Sequence, residues 1–244
     1  MLFRSIDALE REALKGAAMV LPFSRHVRDD VIAHYDVPPE RVQAVGCGSG
    51  PMPPFTGAKD FASSHLLFVA KHLFVQKGGE LVLEAFGILR MVRPQSRLVL
   101  IGNDEARRKA AGIEGVEVHG YVERDTLNGF FRDAAMLVQP MLSDPWGQVY
   151  LEAMKARAVI VALDRAALPE LTDGGKAGVL VREASPAAIA NAVLQTWQRP
   201  QAELDAMTLH AQALATAQDW DAVADRVARG LADVVANPRR VEMA

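Results

Sequence analysis

The chain has 244 residues, more than a usual single domain and fewer than two full domains of about 150 residues each, so one large domain with an addition is expected. Hydrophobic residues make up 50% and charged residues 23%, enough apolar material for a sizeable core and far from the composition of a disordered chain. The formal net charge of −3 argues against a broad surface for nucleic acid or anionic lipid, which leaves small molecules as the expected partners.

Cys47 is the only cysteine, so it forms no internal disulfide and no thiolate cage, and a reducing compartment is expected. The opening MLFRSIDALEREALKG lacks the apolar stretch of a signal peptide, and no run reaches the roughly 18 apolar residues of a spanning helix. A cytoplasmic location without a membrane span follows as the expectation.

In chain order, MVLPFS, RHVRDDVIAHYDV and VQAVGCG read as strand, helix and strand. SGPMPPFTGAKD is rich in Pro and Gly and reads as a hinge. From His65 the apolar runs HLLFVA, RLVLIG, VEVHG, AMLVQP, AVIVAL and AGVLV alternate with the segments ELVLEAFGILRMV, DEARRKAAG, ERDTLNGFFRDA, GQVYLEAMKA and ALPELTDGG. Continuous apolar strands separated by helices are what a parallel sheet covered on both faces requires, so a doubly wound α/β domain is predicted. After Ser185 the pattern is helical through SPAAIANAVLQTW, AELDAMTLHAQALATA and DWDAVADRVARGLADVV. The expected division is an N-terminal α/β remnant with hinge over 1–57, the sheet domain over 58–200 and C-terminal helices over 201–244.

The glycine cluster GCGSG at 46–50 follows a predicted strand, but Pro51, Pro53 and Pro54 forbid the helix whose N-terminus would hold a pyrophosphate. A turn at the domain junction is the better reading. Asp219-Trp220-Asp221 has an Asp-x-Asp form, yet it lies between Ala-rich segments, where an aspartate caps a helix. The six histidines show no ligand spacing, so no metal and no resident cofactor is expected.

Lys71 and Lys77 flank the segment KHLFVQKGG just beyond the strand HLLFVA. Open α/β sheets bind ligands beyond the carboxyl ends of their strands, and two cations there suit an anion, unless Lys77 only precedes a helix with its head in water. In SDPWGQVYLEAM, residues 143–154, Asp144 falls in a loop above the sheet and a helix begins near Gly147. Gly147 leaves room for a ligand, and the N–H groups near Gln148 and Val149 face an incoming anion. Glu152 sits one turn further on. A helix N-terminus for phosphates beside two carboxylates for hydroxyls fits a nucleotide sugar; a capped amphipathic helix with incidental acids fits the same string.

Asp144 and Glu152 enclosing PWGQVYL resemble the Glu, seven residues, Glu signature of retaining glycosyltransferases of the GT-B type, group 1 or family 4-like, with two facing Rossmann-like domains. HLLFVAKHLFVQKGGELVLEAFGILRMVRPQSRLVLIGND is similar to the donor-domain opening of that family. VEVHGYVERDTLNGFFRDAAMLVQPMLSDPWG and EAMKARAVIVALDRAALPELTDGGKAGVLV continue in the same order. The resemblance implies a nucleotide-diphosphate sugar as donor and transfer with retained stereochemistry and without metal to an unknown acceptor. It implies that Glu152 accepts from ribose hydroxyls, that Asp144 contacts the transferred sugar and that Lys77 neutralises the diphosphate. Gly147, Gln148 and Val149 would hold phosphate oxygens with their backbone, and Gly102 and Tyr121 would lie against the base. The family's cation after the first strand aligns with Lys71 or with His72. Asp144 stands where the family has glutamate, and most of the acceptor domain lacks a counterpart. A requirement for self-association or an acceptor-domain subunit is therefore expected, and a non-catalytic nucleotide-sugar-binding module is the alternative.

Overall fold

The structure, a computed structural model, describes residues 2–62, 65–143 and 146–236. By internal contacts the chain forms two compact units, one from residues 1–48 with 218–244 and one from residues 49–217.

In the first unit, α1 (Leu2–Gly16) precedes α2 (Arg25–Tyr35). Ser24 caps α2, its Oγ accepting from Val27 N at 3.1 Å, and Asp36 ends it in a left-handed conformation (φ 53°). The flanking segments predicted as strands form an isolated parallel bridge between Val20 and Val42, and Val45 N donates to Pro22 O at 2.9 Å. Val20 N donates to Arg41 O at 2.7 Å and Gln43 N to Val20 O at 3.0 Å. Pro22 has no N–H to extend the ladder, and Gly46 (φ 77°) turns the second segment away. α10 (Trp220–Ala236) closes this unit, and Arg226 Nε donates to Val45 O at 2.6 Å. Asp219 Oδ1 accepts from Ala222 N at 2.6 Å, the capping geometry expected for the Asp-x-Asp string.

The second unit is built on six parallel strands: β1 (His65–Ala70), β2 (Leu98–Gly102), β3 (Val116–His119), β4 (Ala134–Val138), β5 (Val159–Leu163) and β6 (Val179–Val181). Their order is β3-β2-β1-β4-β5-β6. The connecting helices are α3 (Gly79–Val92), α4 (Asp104–Ala110), α5 (Arg124–Asp133), α6 (Gln148–Lys155) and α7 (Leu168–Leu171), and α8 (Pro186–Trp197) and α9 (Gln201–Thr216) follow. α3, α4 and α8 form one layer over the sheet, and α5, α6 and α9 the other. Every residue of β2, β4 and β5 is buried, as is β1 after His65, which explains why these strands are unbroken apolar runs rather than alternating ones.

The doubly wound Rossmann-like sheet predicted from the sequence is present. The units divide at residues other than 57 and 200: α9 packs on α6 within the sheet unit, and α10 belongs with the N-terminal segment. ALPELTDGG yields a helix of only four residues, because Asp173, Gly174 and Gly175 all take positive φ directly after it.

At the amino ends of the strands, Lys59 is only 6% exposed, and its Nζ donates to Ala134 O at 2.7 Å and to Arg132 O, tying the hinge segment to the end of α5. Burial holds its pKa down to about 8 from 10.5. Between those values the unfolded chain binds the proton that the native protein has lost, so stability rises with pH across that window. Denaturant titrations from pH 8 to 10 should show this rise in the wild type and its loss in Lys59→Met; identical pH slopes in the two proteins would show that the buried amine does not titrate there.

Candidate functional site

The strand order reverses between β1 and β4, since β1 leads through α3 to one side and β4 through α6 to the other. A crevice opens beyond the carboxyl ends at such a point. Two side chains fasten its floor. Gln139, fully buried just after β4, accepts from Val69 N at its Oε1 (3.0 Å), and the hydroxyl of fully buried Tyr150 donates to Gln139 O at 2.7 Å. Gln139 Nε2 is buried and has no hydrogen-bond partner among the described residues.

The loop after β1 and the loop after β4 are bound together as well. Met141 N donates to Lys77 O (3.1 Å) and Leu142 N to Gln76 O (2.8 Å). Gly78 takes φ 86° at the start of α3, where a Cβ would stand 2.8 Å from Pro140. Gly147 takes φ 82° at the start of α6, and a Cβ there would meet the Tyr150 ring at 2.6 Å. Without a side chain it supplies no cap to the first turn of α6.

Beside this floor lies a cleft of about 510 Å³. Lys71, His72, Gly102, Tyr121 and Glu152 all line it, so five of the residues singled out in the sequence meet in one place. Lys71 Nζ lies 5.1 Å from the Tyr121 ring centroid, and Tyr121 is 74% exposed. Gly102 is buried because α4 passes close: a Cβ would stand 2.5 Å from Ala106 Cβ. Glu152 is half-buried, and burial raises its carboxyl pKa, while the charges of Arg124, Lys155 and Lys77 hold it down. Lys77 is thus electrostatically joined to Glu152 although it does not line the cleft. Gly147, Gln148 and Val149 form the adjoining start of α6 and are not among the lining residues. Asp144 lies outside the described residues.

Sequence reasoning missed several neighbours of Glu152. Arg124 opens α5 and lines the same cleft with Asn103 and Asn128. Gly50, read from sequence as part of a plain turn, passes over α6: a Cβ there would stand 2.7 Å from Glu152 Oε1, and Lys155 Nζ donates to Gly50 O at 3.3 Å. The proline-rich string after it was the available signal, since Pro51, Pro53 and Pro54 hold that segment extended.

The profile of the family Glycosyl transferases group 1 matches residues 63–199, more than half of the chain. The chain belongs to this family. It is 28% identical over 165 residues to the phosphatidyl-myo-inositol mannosyltransferase of Propionibacterium freudenreichii, covering 66% of this chain and 42% of that protein. It is 26% identical over 211 residues to a D-inositol 3-phosphate glycosyltransferase of Paenarthrobacter aurescens, covering 75% of this chain and 50% of that protein. The chain spans about half the length of the curated relatives it matches. Its fold is similar to sucrose-phosphate synthase from Thermosynechococcus elongatus (TM-score 0.77, 19% identity, 96% of this chain and 62% of that one). It is also similar to Anabaena HepE in complex with UDP-glucose (TM-score 0.74, 17% identity, 89% and 64%). At these identities the likeness concerns the fold. Among the described residues of this group 1 chain, no helix is long and apolar enough to cross a membrane.

The crevice floor makes two stability predictions. Tyr150→Phe leaves the Gln139 carbonyl buried without its donor and should cost about 1–3 kcal/mol. Gly147→Ala places a Cβ in the left-handed region and should cost at least about 1–2 kcal/mol. Urea denaturation measures both; a Tyr150→Phe variant as stable as the wild type would remove the Tyr150 hydroxyl from any account of the floor.

Proposed function

We propose that the sheet unit is the donor-binding half of a retaining, metal-independent glycosyltransferase that takes its sugar from a nucleoside diphosphate. The observation that carries this reading is Glu152, a carboxylate half-buried in the cleft at the strand-order reversal and surrounded by Arg124, Lys155 and Lys77. A carboxylate held in a low-dielectric wall accepts strongly from hydroxyl groups, which suits ribose. The base lies against Gly102 and Tyr121. The diphosphate lies toward Lys77, the N–H groups of Gln148 and Val149 and the side chain of Lys71 or His72, and Asp144 reaches the transferred sugar.

In this reading the bond between the anomeric carbon and the β-phosphate oxygen breaks, and negative charge grows on the departing diphosphate. Lys77 and the start of α6 are positioned to stabilise that charge. The acceptor hydroxyl attacks from the face the diphosphate leaves, and its proton passes to a phosphate oxygen. In this reading the unit of residues 1–48 with 218–244 is acceptor-side and the unit of residues 49–217 holds the donor. Transfer needs a wall that positions the acceptor and excludes water, so residues 1–244 by themselves bind donor and transfer slowly, and an acceptor-binding domain, of the same protein or of another subunit, or a second copy completes the cleft. The buried Cys47, which is in no disulfide, and the single-cysteine composition fit a cytoplasmic protein.

UDP, GDP and ADP titrations followed by thermal shift test the donor site. A ligand at about 100 times its dissociation constant should stabilise the fold by roughly 2.7 kcal/mol. Silence from all three would end the proposal.

Two further measurements test the role of Glu152. Glu152→Gln should weaken nucleotide binding about tenfold, the loss of one charge-assisted bond near 1.5 kcal/mol. Gly50→Ala should weaken it too with little loss of stability, because the clash is relieved by displacing the flexible carboxylate. The pH dependence has a definite sign. Burial raises the pKa of free Glu152, whereas ribose hydroxyls favour its ionised form, so binding releases a proton and affinity falls as pH drops through the raised value. Calorimetry should show this fall beginning above the ordinary glutamate range in the wild type and absent in Glu152→Gln; a shared pH profile would assign the ribose to another group.

A further inference from the structure

At one end of the donor cleft, the loops after β1, β2 and β3 bring Lys71, Asn103, Tyr121 and Glu123 to a common wall. Tyr121 is exposed over most of its surface, and an aromatic ring left open in a ligand cleft is a stacking surface for a planar base. Lys71 Nζ stands 5.1 Å from the centroid of that ring, within reach of a cation–π contact. The Glu152 end of the cleft has its own charges: burial raises the Glu152 pKa, and Arg124, Lys155 and Lys77 hold it down. Lys71 is not one of these, so its ammonium belongs to the Tyr121 end.

The hydrogen-bonding character of this end follows from what each group already does. Asn103 Oδ1 accepts from Ala106 N at 3.2 Å to cap α4, which leaves Nδ2 as the group it offers the cleft. An asparagine that reads adenine uses both ends, its oxygen for the N6 amine and its NH2 for N7, and here the cap takes the oxygen. Lys71 is a donor only. Glu123 starts α5 without a side-chain hydrogen bond to that helix, so its carboxylate is an acceptor at the same rim. Uracil and guanine each present a carbonyl oxygen beside a ring N–H, which matches donors set next to an acceptor. Adenine has no carbonyl, and its amine brings further N–H groups toward Lys71 and Asn103.

We propose, on the donor reading given above, that Lys71 sets the nucleotide specificity of the cleft by selecting a lactam base, uracil or guanine, over adenine. The base takes the face of Tyr121 that the ammonium covers, and the ammonium moves to the edge of the base and donates to its carbonyl oxygen, with Asn103 Nδ2 as a second donor. Glu123 accepts from the neighbouring ring N–H. Adenine leaves the ammonium without an acceptor, and a site built around a hydrogen bond rejects the analogue that cannot form it. With Lys71 committed to the base, His72 is the side chain of this loop that faces the diphosphate.

The test is calorimetric titration of the 244-residue chain with UDP, GDP and ADP at one ionic strength, in the wild type, Lys71→Met and Lys71→Arg. Lys71 is exposed and lies outside the helices and strands, so neither substitution disturbs the fold. The wild type should bind UDP or GDP at least about tenfold more tightly than ADP, the worth of one charge-assisted bond. Lys71→Met should lose about that factor for the preferred nucleotide and nothing for ADP, and Lys71→Arg should keep the preference. Tighter binding of UDP identifies uracil as the base, and tighter binding of GDP identifies guanine; both support the role of Lys71. Equal weakening of all three nucleotides in Lys71→Met would assign Lys71 to the diphosphate and overturn the proposal while the donor site stands. A wild-type affinity for ADP that matches or exceeds the other two, or a preference that survives in Lys71→Met, would overturn it as well. Binding of none of the three would end the donor reading itself and this specificity with it.

Discussion

Two hydrogen bonds to one residue hold the crevice in shape. Parallel strands whose crossovers leave in opposite directions diverge above the sheet, and nothing in the ladder itself keeps their carboxyl ends together. Gln139 does so from both sides, accepting from Val69 N of β1 through its side chain and from the Tyr150 hydroxyl of α6 through its backbone. Because Tyr150 stands in the first turn of α6, the same contact fixes where the N–H groups of that helix point. Gly147 follows from it: with the Tyr150 ring in place, a side chain at the helix entry would collide. The entry of α6 at Gly147 is therefore fixed by the packing of Tyr150.

Glu152 illustrates a second constraint. A carboxylate in a cleft wall pays desolvation, which raises its pKa, and three nearby basic groups limit the rise. None of the three occupies the same segment of sequence as the others: Arg124 opens α5, Lys77 precedes α3 and Lys155 ends α6. The balance comes from the fold. A ligand that brings hydroxyl donors replaces lost hydration, while one that brings only negative charge works against it.

This is why the sheet was legible in the sequence and much of the site was not. Burial on both faces leaves a string with no polar interruptions, and HLLFVA, AMLVQP and AVIVAL announce themselves as strands without any knowledge of their neighbours. Lys71 and Glu152 stood out because ligand sites in open sheets lie beyond the strand ends, whereas His72, Gly102 and Tyr121 were implied only by the resemblance to the group 1 family. Gly50 and Arg124 carry no such local mark. Gly50 lies 102 residues from Glu152 in sequence, and its lack of a side chain has meaning only where the chain crosses α6. The N-terminal strands failed for a complementary reason: their composition is apolar, but Pro22 and Gly46 interrupt pairing, and they form an isolated Val20–Val42 bridge.

The two ends of the sheet differ in a way that follows from helix polarity. Crossover helices start near the carboxyl ends of the strands and finish near the amino ends, so one opening meets N–H groups and the other meets carbonyls. At the first, anions are drawn in by backbone alone, and few basic side chains are needed. At the second, basic side chains collect because the carbonyls need donors, as Lys59 does at the end of α5 and Arg93 at Ala62. A concentration of lysine and arginine at the amino ends is thus first a consequence of folding, and the presence of cations there does not by itself imply a ligand.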